Sequence, residues 1–336
     1  EGGTIPWINS GEVKQGLIKT TENYITEEGL KNSSAKIFPI NTVLVAMYGA
    51  TAGQVGILGI EAATNQAICG ILPNEELHPL FIYHFFKTQL ERLLILRSGV
   101  ARLNISQKTI QNYKIPVPPL DIQQKIITEI EAIEAKEAEA KKVIEEKRVE
   151  IEREFEEIYS KAKETIKLSL NDFEVGIGNR LLRKNISDNQ EEGIPVYSAN
   201  VFTPFGYTKE TLLDNFDSKT IIWGIDGDWQ VNVINENIPF YPTDHCGYLR
   251  IKKGDWQPNY LSRALFLVGS KENFSRSLRA SIARIKELKI PVPDSKEMLD
   301  FEKLVIKNEN EIQKQEQAIA NIEEEKKAVL SKYLEK

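Results

Sequence analysis

Two long stretches of the chain carry apolar residues at helical spacing and contain neither glycine nor proline. Their apolar positions recur at intervals of three, four or seven, apart from an alanine-rich gap at 135–140: Ile122, Ile126, Ile130, Ile133, Ile144, Ile151, Phe155 and Ile158 in residues 121–164, and Phe301, Val305, Ile312, Ile319, Ile322, Val329 and Tyr333 in residues 296–335. Each helix would be roughly 60–65 Å long. A lone helix would leave its stripe in water, so we predict that the two pack as an antiparallel coiled coil.

The segment before each long stretch ends in the same five residues, KIPVP, at 114–118 and at 289–293. Earlier parts of the two segments also match. TVLVAMYG (42–49) matches TIIWGIDG (220–227), a buried strand ending in a glycine turn, and IPWINSGEV (5–13) matches IPVYSANVF (194–202). Further matches pair Thr64-Asn65-Gln66 with Thr243-Asp244-His245, Pro79 with Pro258, and Ser106 with Ser281 as helix N-caps.

These matches predict an α+β protein with a pseudo-twofold internal repeat, in which two similar globular α/β segments alternate with two long helices. The expected boundaries are 1–119 and 167–293 for the globular segments, and 120–166 and 294–336 for the helices. Residues 167–193 match nothing upstream of Glu1. The first globular segment is therefore expected to be incomplete at its N-terminus, as in a truncated or processed form.

Composition places the chain among globular proteins. Its 336 residues, 41% of them hydrophobic, suffice for two domain cores. No apolar run reaches the ~18 residues of a membrane span, and the N-terminus lacks the features of a signal peptide. Cys69 and Cys246 lie in no metal-binding spacing, so we interpret them as free buried thiols and expect a cytoplasmic protein.

The net charge of −6 lies mainly in the two long stretches, where mixed Glu and Lys residues are typical of solvated helix faces. The rest of the chain is close to neutral. The acidic total therefore does not exclude a nucleic-acid partner.

Signatures of catalysis are weak. GATAGQVG (49–56) lacks the Lys-Ser/Thr ending of a phosphate-binding loop and the spacing of a dinucleotide fold. VPPL (117–120) offers neither the amide nor the aromatic ring of an amino-methyltransferase motif. The three histidines fit no metal site or catalytic triad, and DGD (226–228) is typical of a turn more than of a cation site. No catalytic residue and no metal site is predicted.

Signals for DNA binding are stronger. A loop that mixes arginine with small polar residues precedes each KIPVP segment, and Arg and Lys neutralise phosphates while Asn, Ser and Gln can read base edges. A second candidate is the aromatic and polar run WGIDGDWQ (223–230), although its tryptophans also suit a core. The candidate DNA-binding residues are Arg97, Arg102, Asn104, Lys108, Trp229, Gln230, Arg276, Arg279 and Arg284.

The repeated KIPVP segments, the LNIS (103–106) and PLDIQQKI (119–126) strings beside the first, and the long helices resemble a DNA-specificity subunit of a type I restriction-modification system. The resemblance covers essentially the whole chain. It implies two target-recognition domains that each read half of a bipartite site in double-stranded DNA, and spacer helices that dock two modification subunits. It also implies S-adenosylmethionine on those partners, a separate restriction and motor subunit, and neither catalysis nor a cofactor in this chain.

The second KIPVP segment departs from this pattern. Where the first is followed by Pro119, Leu120 and Gln123 or Gln124, the second is followed by Asp294-Ser295 and Met298-Leu299. Two other interpretations stay open on the residues alone. One is the recognition half of a fused methyltransferase-endonuclease, and the other is a non-catalytic coiled-coil spacer with inert globular ends.

Overall fold

A computed structural model describes residues 2–95, 104–169 and 171–334. The chain divides into two compact units. The first unit combines Glu1–Lys142 with Gln315–Lys336, and the second unit is Val143–Lys314. Each unit therefore contains one globular segment and parts of both long helical stretches.

In both halves of the chain, a run of short strands is followed by helices. The strands are β1 Ile5–Ile8, β2 Leu17–Ile18, β3 Tyr24–Ile25, β4 Ile37–Phe38, β5 Val43–Ala46, β6 Val55–Leu58, β7 Ala62–Thr64, β8 Ile68–Ile71, β9 Glu164–Lys167, β10 Phe173–Ile177, β11 Ile194–Tyr197, β12 Gly206–Thr208, β13 Thr220–Gly224, β14 Val231–Ile234, β15 Tyr241–Pro242, β16 Cys246–Ile251 and β17 Lys289–Val292. The helices are α1 Glu27–Lys31, α2 Pro79–Thr88, α3 Leu90–Ile95, α4 Gln107–Gln111, α5 Leu120–Lys161, α6 Pro258–Ser270, α7 Ile282–Glu287, α8 Ser295–Ala320 and α9 Ile322–Leu334.

Both units are built on the same pair of sheets. In the first unit, β5 lies between antiparallel β6 and β8, and β1 pairs in parallel with β7 and antiparallel with β3. In the second unit, β13 lies between antiparallel β14 and β16, and β11 pairs in parallel with β15 and antiparallel with β12. The predicted internal repeat is confirmed at the level of strand pairing.

The strand register corrects one of the sequence matches. Ala46 pairs with Ile68 as Gly224 pairs with Cys246, and the following turns are closed by equivalent bonds, Ile68 N to Asn65 O and Cys246 N to Thr243 O. Asn65-Gln66-Ala67 is therefore the equivalent of Thr243-Asp244-His245, one residue later than predicted. The threonine that the two segments share favoured the wrong alignment. The strand register gives the correct one, because a shift of one residue would move the buried side chains of each strand to its exposed face.

The helical stripes pair within each unit. In the first unit, Ile126, Ile130 and Ile133 of α5 share a core with Ile322 and Val329 of α9. Ionic contacts give the direction: Lys332 Nζ lies 2.8 Å from Glu129 Oε1, and Lys326 Nζ lies 3.4 Å from Glu137 Oε2. The partner number falls as the α5 number rises, so the helices are antiparallel, as predicted.

The second unit shows the same arrangement between the C-terminal part of α5 and α8. The rings of Phe155 and Phe301 are 6.1 Å apart, and Ile151 and Ile158 belong to the same core. Asn308 Nδ2 donates to Glu150 Oε2 at 3.0 Å, and Lys161 Nζ lies 3.3 Å from Glu297 Oε1. These contacts again run antiparallel.

Three local features differ from the predicted elements. Helix α5 ends at Lys161 and not at residue 166, because residues 164–167 form β9, which pairs with β17. The second KIPVP segment is therefore an edge strand, where a proline is tolerated. The second long stretch is two helices separated at Asn321, a residue type whose side chain competes for backbone hydrogen bonds.

Each long helix is fastened to its globular segment by a buried polar side chain. Gln123 of α5 is fully buried, accepts from His78 N at 2.7 Å and donates to Glu76 O and Pro118 O, each at 2.8 Å. Its equivalent in α8 is the buried Met298, which packs in an apolar core. Glu302, one turn further along, accepts from Asn259 N at the start of α6 instead.

Cys69 and Cys246 are both buried and form no disulfide, as predicted. None of the described helices has the length and apolar character needed to cross a membrane.

Candidate nucleic-acid interface

In the second unit, three segments meet beyond the end of β13: residues 225–230, 243–245 and 275–281. Ile225 N donates to His245 O at 3.0 Å, and Ala280 N donates to Ile225 O at 3.1 Å. The fully buried Trp223 also donates from Nε1 to Ala280 O at 3.0 Å. We call these three segments the second platform. Backbone bonds and a buried indole fix their relative positions.

Asp226, His245 and Arg279, which we call the Asp226 cluster, come from the three segments in turn. Arg279 binds the Asp226 carboxylate with two nitrogens, Nη2 to Oδ2 at 2.6 Å and Nε to Oδ1, and His245 Nδ1 also contacts Oδ2. The hydrogen bond from Arg279, more than that from His245, lowers the pKa of Asp226. The carboxylate is mostly covered, whereas half of the Arg279 side chain is exposed.

Two other candidates on the second platform serve its internal packing. Trp229 donates from Nε1 to Phe266 O at 2.8 Å, and its ring lies 5.0 Å from that of Phe274. Gln230 lies at the end of the β13–β14 connection, where its carbonyl accepts from Gly224 N at 3.2 Å. Its side-chain Oε1 is buried without a hydrogen-bond partner among the described residues.

The remaining two arginines lie close to Arg279 in the chain and are exposed. Arg284 donates from Nη1 to Arg279 O at 2.7 Å, which ties α7 to the loop before it. Arg276 has no ion pair with any residue that the structure describes. The second platform thus contains four of the five candidate residues of this unit, and Arg284 lies just beyond it in α7.

The first unit builds an equivalent platform from residues 47–54, 65–67 and 104–105. Met47 N donates to Ala67 O at 2.8 Å, and Ile105 N donates to Met47 O at 2.9 Å, matching the bonds of Ile225 and Ala280. We call it the first platform. Tyr48, Ala67 and Asn104 occupy the positions of Asp226, His245 and Arg279.

The candidate residues of the first unit are placed only in part. Asn104 lies on the platform, half-buried, with Oδ1 buried and unpartnered among the described residues. Lys108 is exposed in the first turn of α4, whose N-cap Ser106 accepts from Thr109 N at 3.0 Å. Arg97 and Arg102 lie outside the described residues.

Sequence reasoning did not connect Asp226 and His245 to Arg279. The sequence suggests the histidine only as a metal ligand or triad member, and Asp226 as part of a turn, a cation site or the candidate run 223–230, with no link to Arg279. Within the described part of the chain, no group of three or more His, Cys, Asp or Glu is placed to hold a metal ion. The internal repeat is the signal that could have linked Asp226, His245 and Arg279, since each of them lies in a segment that has an equivalent in the first unit.

The family model for the type I restriction modification DNA specificity domain matches this chain twice, over residues 1–148 and 167–330. The two matched regions contain the two platforms. The chain therefore belongs to the type I restriction-modification DNA specificity family, as its motifs predicted.

Two curated relatives agree with this assignment. The specificity subunit of a type I restriction enzyme from Escherichia coli is 30% identical over 132 residues, and one from Methanocaldococcus jannaschii is 33% identical over 132 residues. Each alignment covers 38% of this chain, and 33% and 30% of the respective relatives. The match thus spans about a third of the length of each relative.

Solved structures share the fold over nearly the whole chain. The S subunit of a type I restriction-modification system from M. genitalium superposes with a TM-score of 0.61 at 17% identity, covering 99% of this chain and 89% of its own. A chain from a study of complex assembly and conformational transition of the type I restriction-modification system gives 0.62 at 15% identity, covering 99% and 92%. The predicted α+β architecture with long helices is confirmed.

Proposed function

We propose that this chain is the DNA-specificity subunit of a type I restriction-modification enzyme, and that each platform reads one half of a bipartite site. The observation that carries the proposal is the repeated platform. The two units use the same backbone bonds to place the same three segments, yet the side chains at equivalent positions differ. A common framework with different side chains is what reading two different half-sites requires.

The long helices have a separate role in this proposal. Residues 120–166 and 294–336 act as spacers between recognition domains formed by 1–119 and 167–293. Their exposed faces, rich in Glu and Lys, offer a docking surface for two modification subunits. Those partners supply S-adenosylmethionine and methyl transfer, a restriction and motor subunit joins them, and this chain, in the cytoplasm, contributes recognition without catalysis.

The candidate residues divide by their surroundings. Cations suit the phosphates, which position a protein on DNA without reading sequence, and the exposed Lys108, Arg276 and Arg284 have this role in the proposal. Arg97 and Arg102, which lie outside the described residues, are assigned to phosphates by their charge alone. Asn104 and Arg279, which occupy equivalent positions on the two platforms, are the proposed base contacts. Trp229 and Gln230 hold the second platform in shape.

A binding selection tests the proposal. The chain is assembled with its modification subunits and equilibrated with a random duplex library, and the bound sequences are determined. We expect a motif of two defined halves separated by unread bases, with an affinity that falls steeply as salt rises. Enrichment of a single uninterrupted motif, or of none, would contradict it. The spacer interpretation predicts no enrichment.

A further inference from the structure

We infer, on the basis of the proposed function, that Arg279 binds the major-groove edge of a guanine in the half-site read by the second unit, and that Asp226 orients it for that contact. The inference starts from the way the guanidinium is held. Asp226 engages Nε and Nη2, which form one edge of the planar group. Nη1 and the second hydrogen of Nη2 form the other edge, and Nη1 has no partner among the described residues.

That free edge matches guanine. Guanine presents two adjacent acceptors, O6 and N7, in the major groove, and a bidentate arginine is their commonest specific partner. Adenine presents one acceptor and one donor there, so its amino group would meet an arginine N–H. The fork geometry is also what distinguishes arginine from lysine, whose ammonium is a point charge.

A phosphate is the other bidentate acceptor available in DNA, and the Asp226 carboxylate disfavours it. The carboxylate balances the charge of Arg279, and a phosphate bound to the free edge would lie near a second anion. The guanine edge carries no net charge and meets no such repulsion. Arg276 and Arg284 have no carboxylate partner among the described residues, so they suit phosphates better.

The loop that carries Arg279 is also rigid enough to read a base. Ala280 is fully buried and held on both sides, by its own N–H to Ile225 O and by its carbonyl to Trp223 Nε1. Base discrimination requires such preorganisation, because a mobile side chain adapts to a wrong partner. Asn104 stands at this position in the first unit and Tyr48 at that of Asp226, so the guanine contact belongs to the second unit alone.

The experiment uses the assembled complex and compares substitutions on one loop. Binding selections are run with wild type, Arg279→Lys, Asp226→Asn and Arg276→Ala, each checked for an unchanged thermal melting curve. We expect Arg279→Lys to lose the preference for guanine at one position of one half-site, by about 5- to 150-fold, with the other positions intact. Asp226→Asn should weaken the same preference and increase affinity for unrelated DNA. Arg276→Ala should weaken binding to all sequences and leave the motif unchanged.

A modified base isolates the contact itself. Replacing that guanine with 7-deazaguanine removes N7 and leaves the pairing edge intact. Wild type should bind the modified site more weakly, whereas Arg279→Ala should bind both sites equally. If Arg279→Lys keeps the wild-type motif, or if the loss on 7-deazaguanine is the same in Arg279→Ala, the inference is wrong while the specificity function stands. If wild type itself selects no motif, the proposed function is wrong too.

Discussion

At the scale of single residues, buried polar side chains determine how α5 meets the first unit. From a fully buried position, Gln123 makes three hydrogen bonds, two to residues just before the start of α2 and one to the KIPVP segment. The sequence predicted that a glutamine matters here but did not choose between Gln123 and Gln124. Burial decides it, since Gln124 is exposed.

Substituting Gln123 and Gln124 one at a time distinguishes the buried glutamine from the exposed one. We expect Gln123→Ala to lower the free energy of unfolding by about 2–4 kcal/mol, because the N–H of His78 and two carbonyls lose their buried partner. Gln124→Ala, one residue away on the exposed face, should change it by less than about 0.5 kcal/mol. Urea denaturation followed by circular dichroism measures both. Equal effects of the two substitutions would contradict the role of Gln123.

His84 makes stability depend on pH. Its side chain is buried in the first unit, and Nε2 has no partner among the described residues. Its pKa is lowered from 6.5 to about 4, chiefly by burial; Glu134 acts to raise the pKa, and Lys87 and Lys326 add to the lowering. The unfolded chain therefore takes up a proton at a higher pH than the folded chain, so the stability present above pH 6.5 is lost as the pH falls towards 4.

A substitution that does not titrate should remove this dependence. Carboxylates affect the pH dependence of stability mainly below about pH 5, so the contribution of His84 is measured between about pH 5 and pH 6.5. In that window, we expect the melting temperature of wild type to fall as the pH is lowered and that of His84→Gln to stay nearly constant. The same slope in both proteins would show that another group is responsible.

At the scale of elements, Glu302 joins α8 to α6. Its carboxylate accepts from Asn259 N and Nδ2, each at 3.0 Å, and lies 2.9 Å from Lys219 Nζ. Both members of the ion pair are mostly buried. The negative charge of this carboxylate is favourable near the N-terminus of α6 because of the helix dipole. The second unit thus uses the charged Glu302 to hold its long helix, where the first unit uses the neutral Gln123.

Removing this carboxylate should lower the free energy of unfolding more than removing a surface charge from the same helix. We expect Glu302→Ala to cost about 3–5 kcal/mol, because it leaves a buried lysine and a helix N–H without a partner. Glu297→Ala, on the same helix, breaks only an exposed pair with Lys161 and should cost less than about 1 kcal/mol. Thermal unfolding compares them. Similar losses would show that Glu302 acts no differently from a surface charge.

Patterns that repeat along the chain were predictable from the sequence, and contacts between distant residues were not. The stripes of α5, α8 and α9, the N-cap serines, and most of the internal repeat follow from spacing alone. The register at Asn65 required the strand pairing, and the pairing of β9 with β17 required two segments distant in sequence. The Asp226 cluster was missed for the same reason, since its three residues meet only when three loops converge.

At the scale of the whole molecule, the central claim is that two platforms read two half-sites whose separation depends on the helices. The helices run antiparallel within each unit, so a change of length must be made in both to keep their contacts in register. Adding four residues near Ala140 in α5 and four near Asn321 lengthens the pair by ~6 Å and almost preserves the helical phase. This is close to two base-pair rises.

The decisive measurement is the methylation motif of that paired insertion, assembled with its modification subunits and mapped on genomic DNA beside wild type. The bases read in each half should stay the same, because base contacts belong to the globular segments. The number of unread bases between them should increase by one or two. An active variant with unchanged spacing, or one whose half-site bases change, would contradict the claim that these helices set the distance between two readers.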